Sequence, residues 1–103
     1  MNLSIVNLYL KFFEWQKKRR KLNKDFEKKI YSSKKNVELV LAKIYDIDDE
    51  DIQKEYMSAF NKVVFLYDEL KEDYETHRFC DNSEELLTSY KNAFNLFESE
   101  YEI

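Results

Sequence analysis

The chain contains neither glycine nor proline among its 103 residues. At average usage of about 7% and 5%, a chain of this length would hold roughly a dozen of the two together. Without glycine it lacks the usual phosphate-cradling loop, dinucleotide fingerprint, nucleophile elbow and EF-hand turn. Tight hairpin turns also lose their preferred residues, which disfavours an antiparallel sheet. The sequence therefore predicts an all-α protein without a recognisable active site.

Apolar residues recur at helical spacing along most of the chain. Intervals of three and four residues connect a first seam: Ile5, Leu8, Phe12, Trp15, Arg19, Leu22 and Phe26. Similar seams lead to expected helices at about residues 4–31, 33–45, 49–78 and 83–101, where 33–45 is either separate or continuous with the first. Short connections favour antiparallel neighbours. We expect one domain, residues 1–103, that folds as an antiparallel bundle of three or four long helices around a helical-hairpin core, with no sheet.

Polar residues mark the expected helix starts. Ser4 is a candidate N-cap for the first helix, and Asp48 is one for the next, with Asp51 at the capping-box position. Asn82 is the expected cap of the last helix, completed by Glu85.

The net charge of −4 hides a strong asymmetry between the two halves of the chain. Residues 1–45 carry twelve Lys and Arg against four acids, and residues 46–103 carry five against seventeen. One interpretation is internal, with the basic first helix lying along the acidic later helices. The other is that one charged surface meets a partner. Arg19, at a seam position, is expected to pair with an acid such as Asp68 or Glu72 or to mark a polar register position, unless the seam is exposed there.

Two stretches are candidate binding surfaces. Residues 5–15 are apolar on nearly every side, more than a three-helix arrangement can cover, and aromatic residues with Arg dominate interface energetics. Lys17, Lys21, Lys24 and Lys28 share one helical stripe that could follow phosphates. The acidic run near residue 48 could instead face a basic partner. The predicted partner-binding residues are Phe13, Trp15, Lys17, Arg20, Lys21, Lys24, Asp48, Asp49 and Glu50.

Catalytic and metal chemistry is not expected. His77 and Cys80 lie three apart, but two ligands do not make a structural zinc site, and no orienting group or oxyanion hole accompanies them. His77 is expected to end a helix and Cys80 to be a small buried hydrophobe. We expect no catalytic residue, no metal and no cofactor, and the other acids are expected to form solvated helix surface.

The composition predicts a cytoplasmic protein. One cysteine excludes an internal disulfide. No positive charge precedes the N-terminal apolar run and Lys11 interrupts it, so neither a signal peptide nor a membrane span is expected. Residue types with AT-rich codons dominate, as in a low-GC bacterium, its phage or a plasmid.

Three functions follow as hypotheses. The first is a small non-enzymatic protein that binds another protein through a helical face, as an inhibitor or an immunity or antitoxin-like protein. An alternative is a nucleic-acid-binding accessory protein that uses residues 17–29, and a third is a structural homodimer. A membrane-surface anchor is a weaker alternative for residues 5–15.

Overall fold

The structure is a computed structural model that describes residues 3–103, with side chains from Ser4 onward. These residues are all-helical, as predicted, and form three α-helices with no strand: α1 Leu3–Tyr45, α2 Glu50–His77 and α3 Ser83–Glu100. The alternative of two helices in residues 4–45 is wrong, because α1 is continuous. Ser33 does not break it, since its Oγ donates to the Lys29 carbonyl at 2.8 Å inside the helix.

The start of α2 differs from the prediction by one residue. Asp49, not Asp48, is the N-cap, and its carboxylate accepts hydrogen bonds from the N–H groups of Asp51 and Ile52 at 2.9 and 3.2 Å. The reason lies in the end of α1, where the Ile47 N–H still donates to the Ile44 carbonyl at 3.1 Å and delays the new helix.

The two other predicted caps have different outcomes. Leu3 is already helical, so Ser4 lies inside α1 and is not its N-cap. Asn82 is the N-cap residue of α3, as predicted, but its side chain makes no cap hydrogen bond, so the expected capping box with Glu85 is not formed. Instead the Ser83 Oγ accepts the Cys80 N–H at 2.9 Å, which orders the α2–α3 connection.

At the end of α2, a residue other than glycine adopts a backbone conformation that glycine usually occupies. α2 ends at His77, one residue before the predicted end at 78 and at the histidine expected to end a helix. Arg78 follows with φ of 59°, in the left-handed region that glycine usually occupies. For a non-glycine residue, this backbone conformation is less stable than the right-handed helical one by about 1 kcal/mol or more. The Arg78 N–H donates to the Tyr74 carbonyl at 2.8 Å, and the Arg78 guanidinium lies 5.4 Å from the Tyr74 ring centroid. These two contacts hold the turn.

The core lies between the second half of α1 and the two later helices. Its buried apolar residues come from all three helices: Phe26, Ile30, Val37, Val40, Ile44, Phe60, Val63, Tyr67, Leu70, Tyr74, Leu87, Tyr90 and Phe97. Aromatic rings meet inside it, with the Phe60 and Phe97 centroids 4.8 Å apart. Burial of these seams is the main stabilising force.

Side-chain hydrogen bonds fix the relative direction of α1 and α2. Near the start of α2, the Gln53 amide donates to the carbonyls of Ile44 and Tyr45, at the end of α1. Near the end of α2, the Tyr74 hydroxyl donates to the Asn23 carbonyl at 3.1 Å. The two helices therefore run in opposite directions, and α2 ends beside the middle of α1.

α1 is much longer than the helices packed on it. At 1.5 Å per residue, its 43 residues span about 65 Å, whereas the 28 residues of α2 span about 42 Å. Because α2 ends beside Asn23, the N-terminal part of α1 extends past the rest of the fold, and the molecule measures 76 Å along its long axis. We call residues 4–18 the projecting segment and residues 19–103 the helical body.

A buried tyrosine makes stability sensitive to alkali. Tyr90 is 2% exposed and its hydroxyl donates to the Ser33 carbonyl at 3.3 Å. Burial raises the pKa of Tyr90 to about 12, against an ordinary value of about 10. The unfolded chain therefore releases this proton at lower pH than the folded chain does. The stabilisation is complete below about pH 10 and is lost as pH rises toward 12.

We expect the free energy of unfolding to fall between pH 10 and 12, and to fall less steeply in Tyr90→Phe, which cannot ionise. Burial also raises the pKa of Tyr67 and Tyr74, so some decline remains. Urea titrations at several pH values measure it, with Tyr45→Phe as the comparison because Tyr45 is exposed. Equal slopes in the wild type and Tyr90→Phe would contradict the assignment.

Candidate protein-docking site

The projecting segment is an apolar helix that nothing in the fold covers. Eight of its large apolar side chains are exposed, each by between 39% and 67%: Ile5, Val6, Leu8, Tyr9, Leu10, Phe12, Phe13 and Trp15. A stable soluble domain rarely leaves so many large apolar side chains together on its surface unless they meet a partner. This segment is therefore the first candidate for a binding site.

Three aromatic rings form a cluster near the middle of the segment. The Phe12 and Trp15 rings are stacked with centroids 6.3 Å apart, and Phe13 meets Phe12 edge-on at 6.4 Å. Trp15, the chain's only tryptophan, is 59% exposed. Such a preformed aromatic surface loses little side-chain entropy when a partner covers it.

One face of the segment continues the stripe that α1 buries in the helical body. The buried residues Phe26, Ile30 and Val37 and the exposed residues Leu8, Phe12 and Trp15 follow the same three- and four-residue spacing. From Phe26 onward this stripe is covered, whereas along the segment, and still at Leu22, it faces solvent. The same sequence pattern thus serves as core in one half of α1 and as open surface in the other.

A set of hydrogen bonds joins α1 to the α2–α3 connection at the base of the segment. The Asn23 Oδ1 accepts the Phe79 N–H at 2.9 Å, and the Arg19 guanidinium donates to the Phe79 carbonyl. We call these two interactions the Asn23–Phe79 lock. The Phe79 ring also packs edge-on against Phe26, with centroids 5.3 Å apart. The lock fixes where the projecting segment leaves the body.

The predicted partner of Arg19 is wrong. Its guanidinium bonds to a backbone carbonyl after α2, and not to Asp68 or Glu72. The reason is the register of the two helices, since α2 ends close to the level of Asn23 and its acids lie farther along α1.

Basic side chains surround the start of the helical body. Lys17, Arg20, Lys21 and Lys24 are all exposed. Among residues 4–103 the ion pairs within 4.0 Å join Lys34 to Glu38, Lys71 to Glu75 and His77 to Asp73, each within one helix. Direct ion pairing between the basic and acidic halves, one interpretation of the charge asymmetry, is therefore not seen. The basic cluster remains open to solvent.

The predicted binding residues fall into two separate places. Phe13 and Trp15 lie on the projecting segment, and the four basic residues lie at or near its base. Asp48, Asp49 and Glu50 are at the opposite end of the molecule, in and beside the α1–α2 connection. The end of α1 at Tyr45 is 21 helical residues from Lys24, about 32 Å, and 30 from Trp15, about 45 Å. One small interface cannot use both, and Asp49 already caps α2.

Sequence reasoning did not find the Asn23–Phe79 lock. The two residues are 56 positions apart, and an isolated asparagine within a helix has no spacing that indicates a distant partner. Only the helical register brings them together.

The His77 and Cys80 pair is tied to Asp73. The His77 Nδ1 lies 3.2 Å from one Asp73 carboxylate oxygen, and the Cys80 thiol lies 3.6 Å from the other. Cys80 is half-buried rather than fully buried as expected. Within residues 3–103 no group of three or more His, Cys, Asp or Glu side chains is arranged to hold a metal ion.

Two open hollows on the surface have volumes of about 550 and 560 Å³. One is an acidic groove between α2 and α3 that includes Glu69, Glu72 and Glu85, and the other lies on α1 around Tyr31. Neither is lined by the projecting segment.

Comparisons with known proteins identify no relative. No protein family, no curated protein and no solved structure matches this chain. Within the described residues, no helix has a stretch both long and apolar enough to cross a bilayer.

Proposed function

We propose that this chain is a non-enzymatic protein-binding protein that docks through the projecting segment of α1. One observation carries the proposal: an aromatic helix extends beyond the helical body with its apolar side chains uncovered. The scaffold in this proposal is an antiparallel three-helix bundle, supported by the opposite directions of α1 and α2 and by the common core.

The chemistry of the segment suits a protein interface. Tyr, Trp, Phe and Arg are the residue types that contribute most to interfaces, and a docked helix presents them at intervals of three and four residues. The basic cluster at the base would form a polar rim beside the aromatic centre. A narrower role as an inhibitor or an immunity protein is supported by size and composition.

Photo-crosslinking tests the proposal directly. A photoreactive amino acid replaces Phe13 in the full chain, and in a control chain it replaces Phe65, which is 60% exposed on the helical body. In cells that express the protein, we expect one dominant crosslinked protein species at position 13 and none at position 65. In addition, Trp15→Ala should weaken binding of that protein by about 1 kcal/mol or more. Equal crosslinking at the two positions would contradict the proposal.

A second candidate function, nucleic-acid binding, is favoured by the lysine stripe. Lys17, Lys21, Lys24 and Lys28 are exposed and none is in an ion pair within 4.0 Å among residues 4–103. Such binding would weaken steeply with salt, because each neutralised phosphate releases counterions. Anisotropy of a labelled single-stranded oligonucleotide at two salt concentrations separates the two functions, since docking of the aromatic segment depends little on salt.

A further inference from the structure

We propose that the partner of the projecting segment is a second copy of this chain, paired antiparallel along residues 4–16. The inference rests on the proposed function, since it names the occupant of the same docking site. Continuity of the α1 stripe, residue register, charge and area each support it.

The first argument is continuity with the core. In the helical body, α2 runs antiparallel to α1 and covers its apolar stripe. Beyond the Asn23–Phe79 lock the same stripe continues without cover through Trp15, Phe12 and Leu8. An antiparallel helix from a second copy would lie on this stripe end to end with α2. It would cover the apolar stripe of the segment as α2 covers that of the body.

The second argument is register. The stripe residues Ile5, Leu8, Phe12 and Trp15 are spaced three, four and three apart, an order that is the same in both directions. In an antiparallel pair centred at residue 10, Trp15 of each copy faces Ile5 of the other and Phe12 faces Leu8. Each layer then joins a large ring to a smaller aliphatic side chain, a combination that packs without voids.

The register also agrees with the extent of the uncovered stripe. With the pair centred at residue 10, Ser4 of one copy lies level with Gln16 of the other, three residues before Arg19, where the α2–α3 connection contacts α1. The paired residues 4–16 therefore lie within the uncovered part of the stripe and do not meet the helical body.

The third argument is charge, which separates antiparallel from parallel pairing. Residues 17–21 are five consecutive basic residues. Parallel pairing would place the two clusters side by side. Antiparallel pairing places their centres about 27 Å apart along the axis, more than three times the Debye length of about 8 Å at physiological salt. The two helical bodies also point away from each other.

The exposed area sets the expected affinity. An aromatic side chain offers about 150–250 Å², so the four aromatic side chains, each a little over half exposed, present roughly 450 Å² per copy, and the four aliphatic side chains add to it. A standard interface takes about 800 Å² from each partner, and one neighbouring helix covers only the facing part. We therefore expect a reversible dimer with a Kd in the micromolar range.

Sedimentation velocity from about 1 to 500 µM tests for the dimer. We expect the mass to rise reversibly from 12.7 kDa to twice that value. Phe12→Ala should raise the Kd at least tenfold and leave the α-helical content of the body intact, because the segment lies outside the core. Phe65→Ala, an exposed phenylalanine on α2, should leave the Kd within about twofold. A monomer throughout this range would overturn the proposal.

Disulfide trapping tests the direction of pairing. In a Cys80→Ser background, one chain carries Ile5→Cys and a second carries Trp15→Cys. In the antiparallel pair these positions face each other, whereas two copies of position 5 lie about 15 Å apart along the axis, beyond disulfide reach. We expect the mixed disulfide upon mixing and little crosslinking of either chain alone. Preferential linkage of position 5 to itself would indicate parallel pairing and overturn the proposal.

Failure of this inference is distinguishable from failure of the proposed function. A monomeric chain whose position 13 crosslinks to a different protein overturns the second copy and keeps the docking function. A monomer without any protein crosslink removes both. A monomer whose Trp15 fluorescence shifts with phosphatidylglycerol vesicles would also overturn the second copy, and would place the segment at a membrane surface.

Discussion

Phe60→Ala is expected to reduce the free energy of unfolding by about 3–5 kcal/mol, the largest effect of any single substitution argued for this chain. Phe60 lies at the centre of the core with 0% exposure, and its ring contacts Phe97 at 4.8 Å and Phe94 at 6.2 Å between centroids. Removing the ring takes away contacts with α3 and leaves a cavity that the neighbouring aromatic side chains fill only in part. The total free energy of unfolding of a domain of this size is about 5–15 kcal/mol.

Phe65→Ala is the matched control, because Phe65 is on the same helix and 60% exposed. Both substitutions change helix propensity equally, so the difference between them isolates burial. Urea unfolding followed by circular dichroism, at one protein concentration for all variants, gives the two values. We expect Phe65→Ala to stay within about 0.5 kcal/mol of the wild type. Similar losses in the two variants would contradict the assigned core.

The seam spacing predicted the helices but not where each seam is buried. The pattern that begins at Ile5 continues unchanged through Phe26 and beyond, yet only its second half is covered. Periodicity identifies the face of a helix that packs and carries no information about whether another helix reaches it. The expected helix lengths did contain the answer, since a first helix of residues 4–45 exceeds the expected helix 49–78 by twelve residues. The alternative of a helix break near Ser33 left the length of the first helix undetermined.

The charge asymmetry shows a second limit of prediction from the sequence. One interpretation of it expected the basic first helix to form ion pairs with the acidic later helices. Among residues 4–103, every ion pair lies within a single helix, because five of the basic residues, 17–21, lie at or beyond the level where α2 ends. Net charge per segment does not determine which residues share a level along a bundle. Exposed pairs contribute about 0–1 kcal/mol each, too little to impose that register.

The candidate site was predictable in its apolar half. Phe13 and Trp15 stand out because residues 5–15 are apolar on too many sides to be buried, and both are exposed in the structure. Asp48 and Glu50 are candidates only because of the density of negative charge around them. Their position at the far end of α1 depends on tertiary structure, which the charge pattern does not indicate. The capping geometry accounts for Asp49 without any partner.

The Asn23–Phe79 lock carries the second large effect. Asn23→Ala removes the acceptor of the Phe79 N–H, which is half-buried and has no second acceptor in the structure of residues 4–103. An unsatisfied buried donor costs about 1–3 kcal/mol, and we expect a loss of unfolding free energy in that range. The Phe79 amide proton should also exchange faster, because the turn after α2 opens more often once the bond to α1 is gone.

Asn36→Ala is the control for this prediction, since Asn36 is exposed on the same helix. Replacing asparagine by alanine raises helix propensity by the same amount at both positions, so only the lock differs. Asn23→Asp, which keeps an oxygen acceptor, should retain most of the stability. Urea unfolding gives the free energies, and NMR-detected exchange reports on Phe79 itself. If Asn23→Ala matched Asn36→Ala in both measurements, the Asn23 side chain would not hold α1 to the α2–α3 connection, and the position of the projecting segment would depend on other contacts, such as the Tyr74 hydrogen bond to the Asn23 carbonyl and the core packing of Phe26.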